Sequence, residues 1–183
     1  MKRLILLCLT GLVLACEVPD NSNLQSDLPD VKQSVMELTA ELVKGNAELK
    51  KRANFDGKEE FWQYKPSQEE WEKELEIFHQ LNLNKPRYIG AMDIELSDGM
   101  QVYTPRPGEN IDIVYVSISE DKTQVISGEV KNDNAAIIYT TYNRLKLVSS
   151  ESKLLEYEIS GFQKIIMSDT SWYQVHGAIL WED

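Results

Sequence analysis

The chain has 183 residues and a formal net charge of −11. That length suits one domain with a real core and is too short for two comfortable ones. The acidic balance argues against nucleic acid and against anionic headgroups as partners, and a hydrophobic share of 42% rules out a chain disordered throughout.

The first residues carry their own pattern. Lys2 and Arg3 are positive, and Leu4 to Leu14 is apolar apart from Thr10 and Gly11. A bilayer span needs about 20 apolar residues, so this run is too short to cross. It has the proportions of a secretory signal peptide, with the small residue Ala15 before the cut. Val13-Leu14-Ala15-Cys16 resembles a lipobox, although Val13 stands where Leu is usual and Leu14 where a smaller residue is frequent. The resemblance to bacterial lipoproteins implies cleavage between Ala15 and Cys16 and a lipid on the Cys16 thiol. It implies a cell-envelope location, in the outer membrane of a Gram-negative bacterium. The plainer alternative is an ordinary cleaved signal peptide with an incidental cysteine. Cys8, the other cysteine, would leave with the signal. The mature chain would then have no disulfide, no Cys metal site and no catalytic thiol, and a net charge two units more negative.

The expected organisation is a signal peptide over 1–15, a lipidated N-terminus and tether over 16–27, and one domain over 28–183. Glu17 to Asp27 is rich in Asp, Asn, Ser and Pro. About eleven flexible residues reach roughly 20 Å.

From Leu28 the pattern is helical. Leu28, Val31, Val35, Leu38, Leu42 and Leu49 follow three and four spacings on one stripe, with Gly45 as a gap in it. Asp27 and Asp30 suit the start, and Lys50, Lys51 and Arg52 suit the end of a helix finishing near Ala53. Packing on a sheet is the expected use of the stripe, and a coiled-coil seam is the alternative. Asp56-Gly57 marks a turn, with Phe55, Phe61, Trp62 and Tyr64 crowded around it; a satellite of the core is the expected reading of that cluster, and a surface for a ligand or a partner is the alternative. Ser67 and Glu70 form a capping box that opens a second helix to about Leu81. Trp71, Leu75, Phe78 and Leu81 or Leu83 form its buried side, Glu69 and Lys73 pair on its wet side, and Asn84-Lys85-Pro86 ends it.

After Pro86 the period becomes two. Met92, Ile94 and Leu96 alternate with polar residues, then Asp98-Gly99 leads to Met100 and Val102. A three-residue loop, 97–99, matches the apolar faces by pairing Leu96 with Met100. Further strands are expected at 111–118, 124–130, 135–148, 154–167 and 172–181, joined by short polar turns at 120–122, 132–134, 149–151 and 168–170 that suit antiparallel neighbours. The strand over 111–118 is apolar on both faces and should be central. Gly128, Gly161 and Gly177 offer places for long strands to bend. The predicted fold is α+β: two N-terminal helices packed on a curved antiparallel β-meander of six or seven strands.

Beyond the lipobox, Trp71-Glu-Lys-Glu-Leu-Glu-Ile-Phe, Asn84-Lys85-Pro86, Gly161-Phe162-Gln163-Lys164 and Asp169 resemble a set of small envelope lipoproteins with no assigned activity. The resemblance implies a shared fold and location and carries no catalytic residue over. Helices followed by a curved sheet are also similar to periplasmic lipoprotein-carrier half-barrels, in architecture alone.

No residue is assigned a catalytic or metal role, and no cofactor is expected. Glu76-x-x-His79 has a di-iron spacing but lacks the second motif that such sites need. His176 has no nucleophile-elbow serine to serve. No Walker loop, dinucleotide fingerprint or HExxH is present. The expected function is therefore a non-catalytic, lipid-anchored protein-binding or envelope-assembly module, touching the membrane through its anchor, with another envelope protein as partner. A carrier or sensor is the alternative, holding a hydrophobic ligand in the concave face against Tyr139, Leu147, Tyr157 and Ile159. A hydrolase comes third. A face filled by both helices leaves the rim for binding.

Overall fold

The computed structural model describes residues 28–119, 124–134, 139–149, 154–165 and 169–180. The lipobox with Ala15 and Cys16 and the tether lie outside them. The architecture is α+β, with two helices on one face of an open antiparallel sheet. The sheet has nine strands, not six or seven. Strands β3 (Met92–Ser97), β4 (Met100–Pro105), β5 (Ile113–Ser119), β6 (Gln124–Asn134), β7 (Tyr139–Ser149), β8 (Leu154–Ile165) and β9 (Ser171–Leu180) form a seven-stranded meander. An N-terminal hairpin, β1 (Glu48–Phe55) and β2 (Lys58–Tyr64), extends it by pairing β1 with β9. The spatial order is β2-β1-β9-β8-β7-β6-β5-β4-β3.

Helix α1 covers Val31–Lys44, not 28–53. Asp30 is its N-cap and accepts the Gln33 N–H at 3.0 Å. Its other oxygen accepts from Asn84 Nδ2 at 2.8 Å, tying the helix start to the end of the second helical segment. That N–H bond, first among several causes, holds the Asp30 carboxyl below its ordinary range. The helix stops because Asn46 takes φ 48°, a left-handed conformation that Asn tolerates, while the Gly45 and Ala47 N–H groups close on Glu41 and Leu42 carbonyls. Lys50, Lys51 and Arg52 therefore sit in a strand and not at a helix end. Alternation takes over: Leu49 and Ala53 are buried, and Arg52 is exposed.

Helix α2 spans Gln68–Leu75 and continues as a 3-10 segment over Glu76–Leu81. The capping box forms as the sequence predicts, with Ser67 Oγ accepting from Glu70 N and Glu70 Oε2 accepting from Ser67 N. Trp71, Leu75, Phe78, Leu81 and Leu83 are all fully buried. Helix α1 packs on α2 and the 3-10 segment, and that segment bears on β5 and β6. Of the α1 stripe, Val31, Val35 and Leu42 are buried, while Leu28 and Leu38 are only partly so.

Two registers differ from expectation. Ser97 pairs with Met100 across a two-residue Asp98-Gly99 turn, not a three-residue loop. Both turn residues have positive φ, 53° and 74°, as a type I′ hairpin requires. The apolar match that favoured the longer loop has little force here, because Ile94 and Leu96 lie exposed on the edge strand. Strand β6 also runs on through Asn132, Asp133 and Asn134, which the sequence reading made a turn. β5 is interior, but the middle strand is β7. Gly177 is required by close approach: a Cβ there would overlap the Tyr157 ring on the neighbouring strand.

Candidate functional site

Three of the four residues proposed for a ligand, Leu147, Tyr157 and Ile159, fall on the helix-covered face, and protein fills the face around them. Leu147 and Tyr157 pair across β7 and β8, and Leu145 pairs with Ile159 one step further along. Leu147, Tyr157 and Ile159 are all buried. The Phe78 ring meets Tyr157 edge-on at 6.2 Å. Tyr139 pairs with Ile165 in the backbone ladder, and its side chain lies outside the described residues.

A polar group is set into this filled face. Lys51 points to the helix side because it shares its register row with Gly177, which faces Tyr157. Its Nζ lies 2.6 and 2.7 Å from the two Glu74 carboxylate oxygens. The Tyr157 hydroxyl donates to Glu74 Oε1. Burial first, and the Glu74 charge second, push the Tyr157 hydroxyl far above its usual range. Lys51 also lies 5.9 Å from the centroid of the Trp62 ring. Tyr157 is thus a neutral donor that, with Lys51, ties Glu74 of α2 to β8 and β1, and a hydrophobic guest would have to displace that lock.

The two histidines are far apart in the fold. His79 lies in the 3-10 segment, in a shallow depression with Glu76, Gln80 and Lys85, and burial holds its pKa below the usual value. His176 lies on the opposite, open face of the sheet, directly across from Arg52. Among the described residues no group of three or more His, Cys, Asp and Glu side chains is placed to hold a metal ion.

No protein-family model, no curated protein and no solved structure matches the chain. The site therefore rests on this structure's own geometry.

Two features lie beyond the sequence reading, which offers the aromatic residues of the first as a ligand or partner surface only in second place and gives them no strand. The first is the rim. β2 is a seven-residue strand at the end of the sheet, exposed along its whole length. Phe61, Trp62 and Tyr64, read as a core satellite, belong to it, and Phe61 is 62% exposed. Asp56 and Gly57 take φ 49° and 83°, so the hairpin closes with a two-residue turn and the Phe55–Lys58 pair. Alternate pairs of such a hairpin are hydrogen-bonded. The backbone groups of Glu59, Phe61 and Gln63 consequently face outward at the edge.

The second is an aromatic row on the open face. Tyr142 stacks on Phe162 with centroids 5.8 Å apart, and Phe162 meets Trp172 at 5.1 Å. These rings are cross-strand neighbours on β7, β8 and β9. Arg144 beside them is held by Glu129 at 2.8 Å. No helix of the described residues is long and apolar enough to cross a membrane.

Proposed function

We propose that this is a lipid-anchored protein of the cell envelope, attached through Cys16, which acts without catalysis by binding another envelope protein through the open rim of its sheet. The observation that carries this reading is the packing around Tyr157. With Phe78 and Glu74 on its ring and hydroxyl, the covered face holds protein where a carrier would need a hollow. Binding then falls to what the helices leave uncovered. The β2 edge offers unpaired backbone groups alternating with aromatic side chains, the chemistry by which an extended partner segment adds a strand. The charges at Lys58, Glu59 and Glu60 oppose indiscriminate pairing with other edges. The signal-like N-terminus supports the anchored location.

Two substitutions test this reading. Cys16→Ala should abolish membrane fractionation and leave either an uncleaved precursor or a released chain. Unchanged mobility, fractionation and N-terminal mass would remove the anchor. Gln63→Pro deletes one outward-facing N–H while sparing the backbone bonds to β1, and the Gln63 side-chain bond to Glu48 is lost equally in Gln63→Ala. Crosslinking in intact cells from a photoreactive residue at position 59 should give an adduct lost in Gln63→Pro and kept in Gln63→Ala. An adduct indifferent to the proline would move the partner off the rim.

A further inference from the structure

Where β1, β9 and β8 lie side by side, the open face holds three uncharged polar side chains in a row. Asn54 opposes Gln174, and Gln174 opposes Ser160. Two residues further along the strands, about 7 Å away, runs the aromatic row of Trp172, Phe162 and Tyr142. A cavity of about 550 Å³ opens onto both rows, with Trp172, Tyr142, Asn54, Gln174 and Ser160 in its lining. Its size is that of a small-molecule site. These strands are interior, each paired on both sides. Their backbone groups are consumed in the ladders, so side chains must read whatever binds.

The β1–β2 turn fixes both rows at one end. Asp56 Oδ1 accepts the Trp172 backbone N–H at 2.7 Å, and Asn54 Oδ1 accepts the Gly57 N–H at 2.9 Å. The Asn54 NH₂ therefore remains to donate. Ser160 and Gln174 have no side-chain partner among the described residues. The three side chains offer donors and acceptors at the ~4.8 Å spacing of neighbouring strands. In the aromatic row, Phe162 stacks on Tyr142 and meets Trp172 at 5.1 Å with the planes 52° apart. Trp172 ends the row, and its indole is left 59% exposed.

The charges around the cavity favour an uncharged occupant. Of the two charged residues that line it, Arg144 is paired with Glu129 at 2.8 Å and Asp56 holds the Trp172 N–H. Glu59 stands beyond Asn54, on the edge strand. Further along the face, Glu48, Glu156 and Glu158 interleave with Lys50, Arg52 and Lys146. An ion seated over Asn54, Gln174 and Ser160 would lose hydration with no free opposite charge to replace it. A peptide would find no backbone partner. A flat heterocycle gains most between two ring faces, and here Tyr142 and Phe162 spend theirs on each other. A pyranose needs one face only. Its axial C–H bonds meet the negative face of an aromatic ring, and its hydroxyls both donate to and accept from amides and a serine.

We infer that this cavity binds a neutral glycan, with the C–H face of one hexopyranose ring against the Trp172 indole and its hydroxyls on Asn54, Gln174 and Ser160. The test is calorimetric titration of the full-length protein, in a detergent without a sugar headgroup, with four neutral tetramers: cellotetraose, maltotetraose, mannotetraose and chitotetraose. Tetragalacturonate is the charged comparison. At least one neutral tetramer should bind saturably at one per chain, and the uronate should bind no more tightly than it. Trp172→Ala should weaken that tetramer about tenfold or more, since it removes the stacking face. Gln174→Ala should weaken it about fivefold, the scale of one neutral hydrogen bond. Trp62→Ala is the control: it removes an indole from the opposite face, in register with Lys51, and should leave the affinity unchanged. Trp172 and Gln174 are both exposed, and unchanged melting temperatures would establish that the variants fold. Failure of all four neutral tetramers to bind would overturn the site. So would a uronate that binds more tightly than any of them, or equal losses from Trp172→Ala and Trp62→Ala. None of these outcomes bears on the rim, which is read by the Gln63→Pro crosslinking pair.

Discussion

Phe78→Ala should lower the stability of the domain by about 3–5 kcal/mol, the range for truncating a buried aromatic. Phe78 is fully buried in the 3-10 segment, the piece of helical chain that bears on β5 and β6. Its ring also supports Tyr157 edge-on at 6.2 Å. Removing it leaves a cavity between two layers that cannot close independently, because Leu75, Leu81 and the strands beneath are themselves fixed by packing. For a domain near this size the loss corresponds to a drop of order 10 °C in melting temperature. Thermal unfolding followed by circular dichroism measures it. Leu38→Ala is the control: Leu38 is only partly buried, so its truncation should cost distinctly less. Equal effects would mean that α1, not the 3-10 segment, is the main cover of the sheet.

How much of this was legible follows from where each signal is local. The capping box at Ser67 and Glu70 is a reciprocal bond between residues three apart, so its spacing alone fixes it. The burial of Trp71 and Leu75 follows from period 3.6 on α2, whereas Phe78 and Leu81 are buried on a 3-10 segment, and Leu83, which the sequence offers only as the alternative to Leu81, is buried beyond it. The end of α1 was misread because Leu49 fits two periods at once: it lies seven residues after Leu42 on a helix, and it alternates with Ala53 in a strand. The deciding feature is Gly45-Asn46, where Asn46 turns left-handed. A gap in a stripe and a helix stop look alike until that φ is known. Once β1 was absorbed into a helix, β2 had no partner, and its aromatic residues could only be read as a cluster.

The aromatic row was hidden by register. The polar clusters at 149–151 and 168–170 suggested turn centres near 150 and 169. The observed pairs Tyr142–Phe162 and Phe162–Trp172 centre on 152 and 167. A displacement of two residues in the centre moves every partner by four. Because four is even, each side chain keeps its face. The burial of Leu147, Tyr157 and Ile159 was therefore foreseeable, while the identity of the cross-strand neighbours was not.

Breaking the Lys51–Glu74 pair from one side only should be among the most costly changes in the domain. Lys51 and Glu74 retain 23% and 12% side-chain exposure, so the pair is neither dry nor well solvated. Lys51→Met leaves the Glu74 carboxylate on α2 with the Tyr157 hydroxyl as its one remaining side-chain donor among the described residues. Removing one partner of a fully buried pair costs about 3–5 kcal/mol; partial exposure reduces this to roughly 2–3 kcal/mol, by analogy with screened pairs. Glu74→Leu should cost less, because Lys51 can extend along its flexible stem toward the exposed edge beside Trp62. The double variant Lys51→Met, Glu74→Leu should recover most of the loss, since an apolar pair of similar volume suits a face already lined by Phe78 and Leu75. Urea unfolding of the four proteins gives the coupling energy as a double-mutant cycle. A coupling above about 1 kcal/mol would establish the pair as a lock between α2 and β1. Additive losses would mean that Tyr157 alone positions Glu74, and Tyr157→Phe would then be the more damaging change.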